Sequence, residues 1–224
     1  MPKAALGLAL ALLQACASLP ARKVDELDVR VTKALTEGTL RVVSPLGFAH
    51  GCAIVYGDRT LILTNRHVVD PLPLQRDAAT VGVSWSDDLG GEGLARPLFV
   101  DAYRDLAVLE IVRGTPGRVF TLAQEAPKPG DLTWALGYDF SSRQKALGPK
   151  VVKAAVVRAI AGCLVLEKDA DRGSSGSCVL DAQERVPAID AWAVAVGFKD
   201  TDRVAVVVGL WGAWFALPEE KVER

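Results

Sequence analysis

The chain has 224 residues, half of them hydrophobic and 24% charged, and its formal net charge is −1. This is the composition of a globular protein that can bury a sizeable core, arranged as one large or two small units. Nothing in this near-neutral charge points to a nucleic-acid partner or to an anionic membrane surface, and no nucleic acid is expected.

An export signal is predicted at the N-terminus, over residues 1–17. A short, weakly positive start precedes the apolar run 4–13 and the small residues 15–17 (ACA), an order typical of a signal peptide. The run is too short to span a bilayer as a helix, which takes about 20 residues. The alternative is an N-terminal helix on a cytosolic protein, but the scarcity of polar residues favours export to the periplasm.

Two modes of processing fit this signal. Cleavage after Ala17 follows the small-x-small rule and would release a soluble protein. Residues 13–16 (LQAC) also resemble a bacterial lipobox, in which the cysteine becomes the lipidated first residue, although Gln14 is unusual there. A cysteine at this place is a rare coincidence in a chain with only four cysteines. We therefore expect Cys16 to carry lipid and to tether the protein to the membrane.

The mature chain begins with a predicted helix and continues as strands. Residues 18–37 are expected to form a tether and a short amphipathic helix, since Leu27, Val31 and Leu35 recur at fourfold spacing. Short apolar runs separated by turn residues follow, and they favour an antiparallel barrel or sandwich. These runs are 40–43, 52–56, 61–63, 80–85, 98–102, 106–112, 132–136, 151–160, 164–166, 178–180, 191–198 and 204–214.

A polar, proline-containing segment, residues 123–130 (AQEAPKPG), divides this strand-rich region. The predicted folded domain, residues 38–218, therefore has a first half over about 38–123 and a second over about 130–218. Residues 219–224 are predicted to form a short closing helix, because Pro218 suits the start of a helix.

Three residues at predicted strand boundaries form a candidate catalytic set. His67 follows the run 61–63, Asp105 precedes the run 106–112, and Ser175 lies in a Gly/Ser loop. Alone, each is an ordinary surface or loop residue. Together, a histidine can take the serine proton, a carboxylate can fix the imidazole tautomer, and glycine-flanked amides can face an oxyanion.

The order of the three residues distinguishes classes of serine hydrolase. The histidine and the aspartate fall in the first half and the serine in the second, as a cleft between two halves requires. An esterase of the nucleophile-elbow type would instead show a G-x-S-x-G serine followed by an acidic residue and then histidine.

Five segments of the chain resemble trypsin-like bacterial proteases, and most closely the protease domain of the HtrA (Deg) group. They follow that group's ILTNxHVV, DLAVLxI, AxGxPF, GNSGGPL and GFAIP patterns in order, over about residues 38–218. The segments are 62–69 (ILTNRHVV), 105–111 (DLAVLEI), 135–140 (ALGYDF), 173–180 (GSSGSCVL) and 214–218 (WFALP). The resemblance implies an all-β fold of two antiparallel six-stranded barrels, flanked by the short N-terminal and C-terminal helices, with the active site between the barrels.

The resemblance also implies a role for each matched residue. His67 matches the general base and Asp105 the residue that orients it. Ser175 matches the nucleophile, since it lies two residues after Gly173 and directly before a glycine. The backbone amides of Gly173 and Ser175 match the oxyanion hole. Ser174 is a competing nucleophile, which the family frame places one residue early.

The chain departs from the family pattern in several places. Cys178 stands where the family usually has proline, and Ser177 replaces the second glycine; neither change removes a catalytic group. Ser174 stands where digestive trypsins carry the aspartate that pairs with a newly cut N-terminus, so we expect that switch to be absent. The sequence also ends shortly after WFALP, so we expect no PDZ domain like those with which typical HtrA proteins capture substrate ends.

One acidic residue bears on specificity. Asp169 lies six residues before Ser175, the offset at which trypsin-like enzymes carry the pocket floor that selects Lys or Arg. The alternative is an exposed loop carboxylate in the charged run 167–171, since HtrA relatives usually have a small apolar residue there.

Three cysteines remain after processing, so at most one internal disulfide can form. Three buried thiols are the alternative. The family alignment places Cys52 on the strand before the histidine, beside the nucleophile loop that leads to Cys178. It therefore predicts that these two lie close together and that Cys163 is unpaired.

The sequence thus predicts a serine endopeptidase that acts on protein or peptide substrates. No organic cofactor and no metal is expected, since the two histidines lie on different segments and the cysteines lack zinc-type spacing. The alternative is a catalytically inactive two-barrel binding or scaffold lipoprotein. Such proteins usually lose a triad member, and here all three positions are filled.

Overall fold

The computed structural model describes residues 25–45, 47–69, 83–101, 103–140, 146–160, 162–167, 175–191 and 203–208. The predicted export signal (1–17), most of the predicted tether and the predicted C-terminal helix (219–224) lie outside these residues. Within them, no helix has the length and apolar character needed to cross a membrane.

The described residues form two helices and thirteen strands. In chain order these are α1 (Glu26–Gly38), β1 (Thr39–Ser44), β2 (Gly47–Tyr56), β3 (Arg59–Thr64), α2 (Arg66–Val69), β4 (Val83–Ser86), β5 (Glu92–Asp101), β6 (Leu106–Arg113), β7 (Phe120–Thr121), β8 (Leu132–Phe140), β9 (Ala146–Ile160), β10 (Cys163–Leu166), β11 (Cys178–Leu180), β12 (Ala188–Ala191) and β13 (Arg203–Val207).

Helix α1 confirms the amphipathic helix predicted after the export signal. Asp25 caps its N-terminus, since the Asp25 carboxylate accepts a hydrogen bond from the backbone N–H of Leu27 at 3.0 Å. Such a side-chain acceptor satisfies one of the amides that the first turn leaves without a helical partner. The residues at the predicted spacing turn inward: Val31 and Leu35 are fully buried.

The first barrel contains strands β1 to β6. Their order is β1-β4-β5-β6-β3-β2, every neighbouring pair is antiparallel, and β1 also pairs with β2. That last pairing joins the two ends of the sheet, while β7 adds to β2 as a short parallel strand. Alternate residues of these strands fill the interior together with Val68 and Val69 of α2. The strand residues are Leu40, Val42, Ala49, Ala53, Ile62, Val83, Trp85, Ala95, Ala107 and Leu109.

The second barrel is closed and has the order β10-β13-β12-β11-β8-β9. All of its strand pairs are antiparallel. Its interior is lined by Ala135, Ala154, Val156, Leu164, Leu166, Val179, Ala188 and Ala205. The structure therefore confirms the predicted all-β fold with two six-stranded barrels.

The two barrels pack against each other through a third apolar cluster, which also takes in α1. The helix contributes Val31, Ala34 and Leu35. The first barrel contributes Cys52, Ile54, Leu61, Leu63, Leu106 and Val108, and the second contributes Trp134, Leu136, Cys163, Cys178, Leu180 and Ile189. Burial of this shared surface stabilises the packing of the barrels against each other.

Ion pairs at the edge of this cluster hold α1 to both barrels. Arg118, which precedes β7, reaches Glu37 of the helix at 3.0 Å and Glu184 of the β11–β12 turn at 2.6 Å. At the other end, Asp28 accepts hydrogen bonds from the Trp134 indole N–H and the Lys153 ammonium, both at 2.8 Å. The helix is therefore part of the folded unit rather than part of a tether.

Candidate active site

Strand pairing brings His67 and Asp105 together. β3 ends at Thr64, and the chain turns through Asn65 into the short helix α2, which carries His67. β6 begins one residue after Asp105, and Thr64 pairs with Ala107 across the two strands. The end of one strand therefore lies beside the start of the other, so residues that are 38 positions apart become neighbours.

The Asp105 carboxylate holds the His67 ring at Nδ1. The ring nitrogen lies 2.9 Å from Oδ2 and 3.1 Å from Oδ1, and the backbone N–H of His67 donates to Oδ1 at 3.0 Å. Asp105 is only 3% exposed, whereas the side chain of His67 is 36% exposed. With Nδ1 bound to the carboxylate, Nε2 is the nitrogen left to accept a proton from a nucleophile.

The backbone of Asp105 adopts an unusual conformation. Its φ is 51°, in the left-handed region that few non-glycine residues enter, although aspartate tolerates it better than most. The Asp105 carbonyl accepts hydrogen bonds from the backbone N–H of Arg66 at 3.1 Å and from the Asn65 side-chain amide at 2.9 Å. The turn thereby directs both the carbonyl and the carboxylate of one residue at the segment that carries His67.

The turn that carries Ser175 lies against the first barrel. The carbonyl of Ser175 accepts a hydrogen bond from the backbone N–H of His50 in β2 at 3.0 Å. Gly176 has φ +80°, and a Cβ there would overlap the carbonyl oxygen of His50 and approach the Thr64 hydroxyl. Only glycine fits this position, and the nearby Thr64 hydroxyl places the turn at the strand end that leads to His67.

A disulfide joins the barrels next to this turn. Cys52 in β2 is bonded to Cys178 in β11, with Cα atoms 5.9 Å apart. Cys163 is free and buried, and burial raises the pKa of its thiol against the opposing effect of the Arg104 charge. The predicted proximity of Cys52 and Cys178 is confirmed, and the alternative of three unpaired thiols is wrong.

Several predicted site residues lie outside the described part of the chain. These are Cys16, Asp169, Gly173 and Ser174. The oxyanion amide of Gly173, the pocket role of Asp169 and the lipidation of Cys16 therefore stay predictions. Among the residues that are described, no group of three or more His, Cys, Asp or Glu side chains is arranged to hold a metal ion.

The residues that support the site were not predicted from the sequence. Asn65 donates to the Asp105 carbonyl, and Thr64 donates from its hydroxyl to the His50 carbonyl at 2.6 Å. Both lie inside segment 62–69, which matches the family pattern, and that match could have indicated them. His50 acts through its backbone groups, which no side-chain pattern reveals.

Comparisons with known proteins agree with this fold. A family model described as the trypsin-like peptidase domain matches residues 51–189, a span that includes His67, Asp105 and Ser175. None of the curated proteins matches the sequence.

Two solved structures illustrate the likeness. The serine endoprotease from Yersinia pestis is 19% identical with a TM-score of 0.62, and the match covers 85% of this chain and 65% of that chain. A serine-to-alanine mutant of Rv3671c from M. tuberculosis H37Rv, in its inactive form, is 18% identical with a TM-score of 0.60, and the match covers 88% and 94% of the two chains. This chain thus spans about two thirds of the length of the Yersinia protein. At these identities the likeness concerns the fold.

Proposed function

The chain belongs to the trypsin-like peptidase domain family, and on that basis we propose that it is a serine endopeptidase that cleaves proteins or peptides through an acyl-enzyme on Ser175. One observation carries the proposal: the buried Asp105 carboxylate lies 2.9 Å from Nδ1 of His67. Because Nδ1 is bound to the carboxylate, Nε2 is the ring atom that would take the proton of Ser175, whose turn packs against the same strand end. The first barrel supplies the base and its carboxylate, and the second supplies the nucleophile.

In the first half of the reaction, the Ser175 hydroxyl attacks the scissile carbonyl carbon while Nε2 of His67 takes its proton. The imidazolium that forms is stabilised by the Asp105 carboxylate, which keeps its own charge. The backbone amides of Gly173 and Ser175 donate hydrogen bonds to the oxyanion of the tetrahedral intermediate. The intermediate then collapses, and His67 returns the proton to the leaving amine.

In the second half, water attacks the ester on Ser175 as His67 accepts one of its protons. Collapse of this second intermediate releases the carboxyl product and returns the proton from His67 to Ser175. The burial of Asp105 supports this cycle, because a carboxylate away from bulk water stabilises the imidazolium more strongly than an exposed one. The partial exposure of His67 leaves the ring accessible to substrate.

Asp169 is our proposed determinant of specificity, as the residue at the floor of the primary pocket. A carboxylate there would select substrates with Lys or Arg before the scissile bond. Cleavage-site profiling tests this: Asp169→Ala should abolish a preference for basic residues. A wild-type preference for aliphatic residues would assign the specificity to the pattern of the HtrA relatives.

The test of the proposed activity uses purified protein lacking residues 1–17 and an unfolded protein substrate. We expect Ser175→Ala to lower the rate by about 10³-fold or more, while the neighbouring variant Ser174→Ala keeps most of it. A wild-type protein that is folded but no more active than Ser175→Ala would favour the alternative of a non-catalytic binding or scaffold protein.

We also propose that the protein works at the periplasmic face of a bacterial membrane, held by lipid on Cys16. The support is the apolar run 4–13 followed by the LQAC segment. The acyl chains of a lipidated cysteine contribute about 0.8 kcal/mol per buried CH₂, so more than one chain gives a lasting anchor. Cys16→Ser should move the protein from the membrane fraction to the soluble periplasm, and an unchanged soluble location for both proteins would indicate an ordinary signal peptide.

A further inference from the structure

The contacts between the barrels are concentrated beside the candidate nucleophile. Within three residues of β2, His50 donates its backbone N–H to the Ser175 carbonyl and Cys52 forms the disulfide with Cys178. On the other barrel, the same two contacts bracket residues 175–178. The turn is therefore held at both of its ends by one strand of the opposite barrel.

Strand β2 also pairs with the strand that leads to the general base, His67. β2 pairs with β3 in register, and Gly51 lies opposite Thr64. Thr64 is the last residue of β3, three positions before His67, and its hydroxyl donates to the His50 carbonyl. A tie between β2 and the nucleophile turn therefore fixes the turn relative to His67.

The disulfide is the covalent part of this tie, and it joins residues 126 positions apart in the chain. Both cysteines are fully buried within the apolar cluster between the barrels. Because thiol exchange needs access to a sulfur, this location favours a permanent disulfide over one that is reduced and re-formed.

We propose that the Cys52–Cys178 disulfide positions the nucleophile: it holds the Ser175 turn at the distance and angle from His67 at which proton transfer occurs. This role rests on the proposed peptidase function. Proton transfer and attack require near-contact geometry, and a displacement of about 1 Å can cost about 100-fold in rate. The hydrogen bond from His50 alone would leave the Cys178 end of the turn free to shift with the second barrel.

A disulfide that closes so long a segment also stabilises the fold, so the test must separate positioning from stability. The variant is Cys52→Ala with Cys178→Ala, and the matched control is Cys163→Ala, which removes the buried free thiol. The wild type, the double variant and the control are assayed for kcat and KM on a peptide substrate, at a temperature well below the unfolding midpoint of each protein. A second pair, Cys52→Ala with Cys178→Val, refills the space if the first pair does not fold.

We expect the double variant to lose about tenfold or more in kcat, with KM changed by less than about threefold, because substrate contacts stay while the reacting groups are misplaced. The control should keep its kcat. A double variant that unfolds at a lower temperature but retains kcat within about threefold overturns the proposal, since the bond then acts on stability alone.

Amide hydrogen exchange separates this inference from the proposed function, because it needs no activity. The backbone amides of residues 175–178 should exchange faster in the double variant than in wild type, while the amides of β5 and β6 are unchanged. If wild type shows no peptidase activity, the proposed function fails, and exchange alone decides the positioning role. Equal exchange in the two proteins contradicts it.

Discussion

Asp105 holds His67 at two separate donors, the ring Nδ1 and the backbone N–H, through a carboxylate that is almost fully buried. The two contacts fix the side chain relative to its own backbone, so the imidazole cannot turn its other nitrogen toward the carboxylate. Since the same residue also binds Asn65 and Arg66 through its carbonyl, one turn determines the position, orientation and tautomer of the candidate base.

Asp105→Asn tests the tautomer. The asparagine oxygen can still accept from the His67 backbone, but its amide then donates to Nδ1, which puts the ring proton on Nε2. A ring protonated there cannot accept the serine proton, so we expect kcat to fall by about 10⁴-fold. Unfolding in urea should show that the variant remains folded; activity close to that of wild type would show that Asp105 does not set the tautomer of His67.

Gly176→Ala tests the fit of the nucleophile turn. The new Cβ would overlap the His50 carbonyl and would also strain a backbone at positive φ, so the turn must move away from β2. We expect loss of activity and a lower unfolding temperature. Gly57→Ala is the matched control: Gly57 also has positive φ, but a Cβ there has no atom within 4 Å. It should cost only the backbone strain, roughly 1–2 kcal/mol, with activity retained.

Leu35→Ala tests the role of helix α1. Leu35 is fully buried in the cluster between the barrels, so its truncation leaves a cavity and should lower the free energy of unfolding by about 2–5 kcal/mol. Val29 on the same helix is 55% exposed, and Val29→Ala should have an effect of less than about 0.5 kcal/mol. Similar stability for the two variants would mean that α1 does not belong to the cooperative core.

The buried thiol of Cys163 should make stability depend on alkaline pH. Burial raises the pKa of this thiol in the folded protein above its ordinary value of 9.0. As the pH rises past that value, the unfolded chain loses the proton first, so stability falls. Urea unfolding between about pH 8 and pH 10 should therefore show a steeper loss for wild type than for Cys163→Ala. An equal loss of stability in the two proteins would indicate that the thiol is in contact with water.

The barrels could be predicted because local pattern and family resemblance agreed. Most strands were anticipated from apolar runs between turn residues. β7 was not, because two residues (Phe120–Thr121) carry no alternation. β12 was expected from residue 191 onward but includes residues 188–190, where Asp190 interrupts the apolar run.

The surroundings of helix α1 could not be predicted in the same way. Its spacing showed one apolar face, but not which surface that face would cover. The ion pair that joins Arg118 to Glu37 spans 81 positions, and nothing in either local sequence indicates it. Partners of that kind are selected by the assembled fold, since surface charges have many possible neighbours in an unfolded chain.

In the candidate site, too, the chemically active side chains could be predicted, whereas the contacts that support them could not. The sequence order and the matched motifs predicted which side chains would carry chemistry, and the resemblance predicted the neighbouring cysteines. The hydrogen bonds that support them, from His50 to Ser175 and from Asn65 to Asp105, involve backbone groups. Every residue carries such groups, so their use in a site emerges only from the three-dimensional arrangement.

Mass mapping of a covalent adduct tests the central claim most directly. Purified protein lacking residues 1–17 is treated with a fluorophosphonate, which reacts with serines that a base has activated. We predict one adduct, on the peptide that contains Ser175, formed by wild type and by Ser174→Ala and lost in Ser175→Ala and in His67→Ala. An adduct on Ser174, or no adduct on folded wild-type protein, would contradict the assignment of Ser175 as the nucleophile.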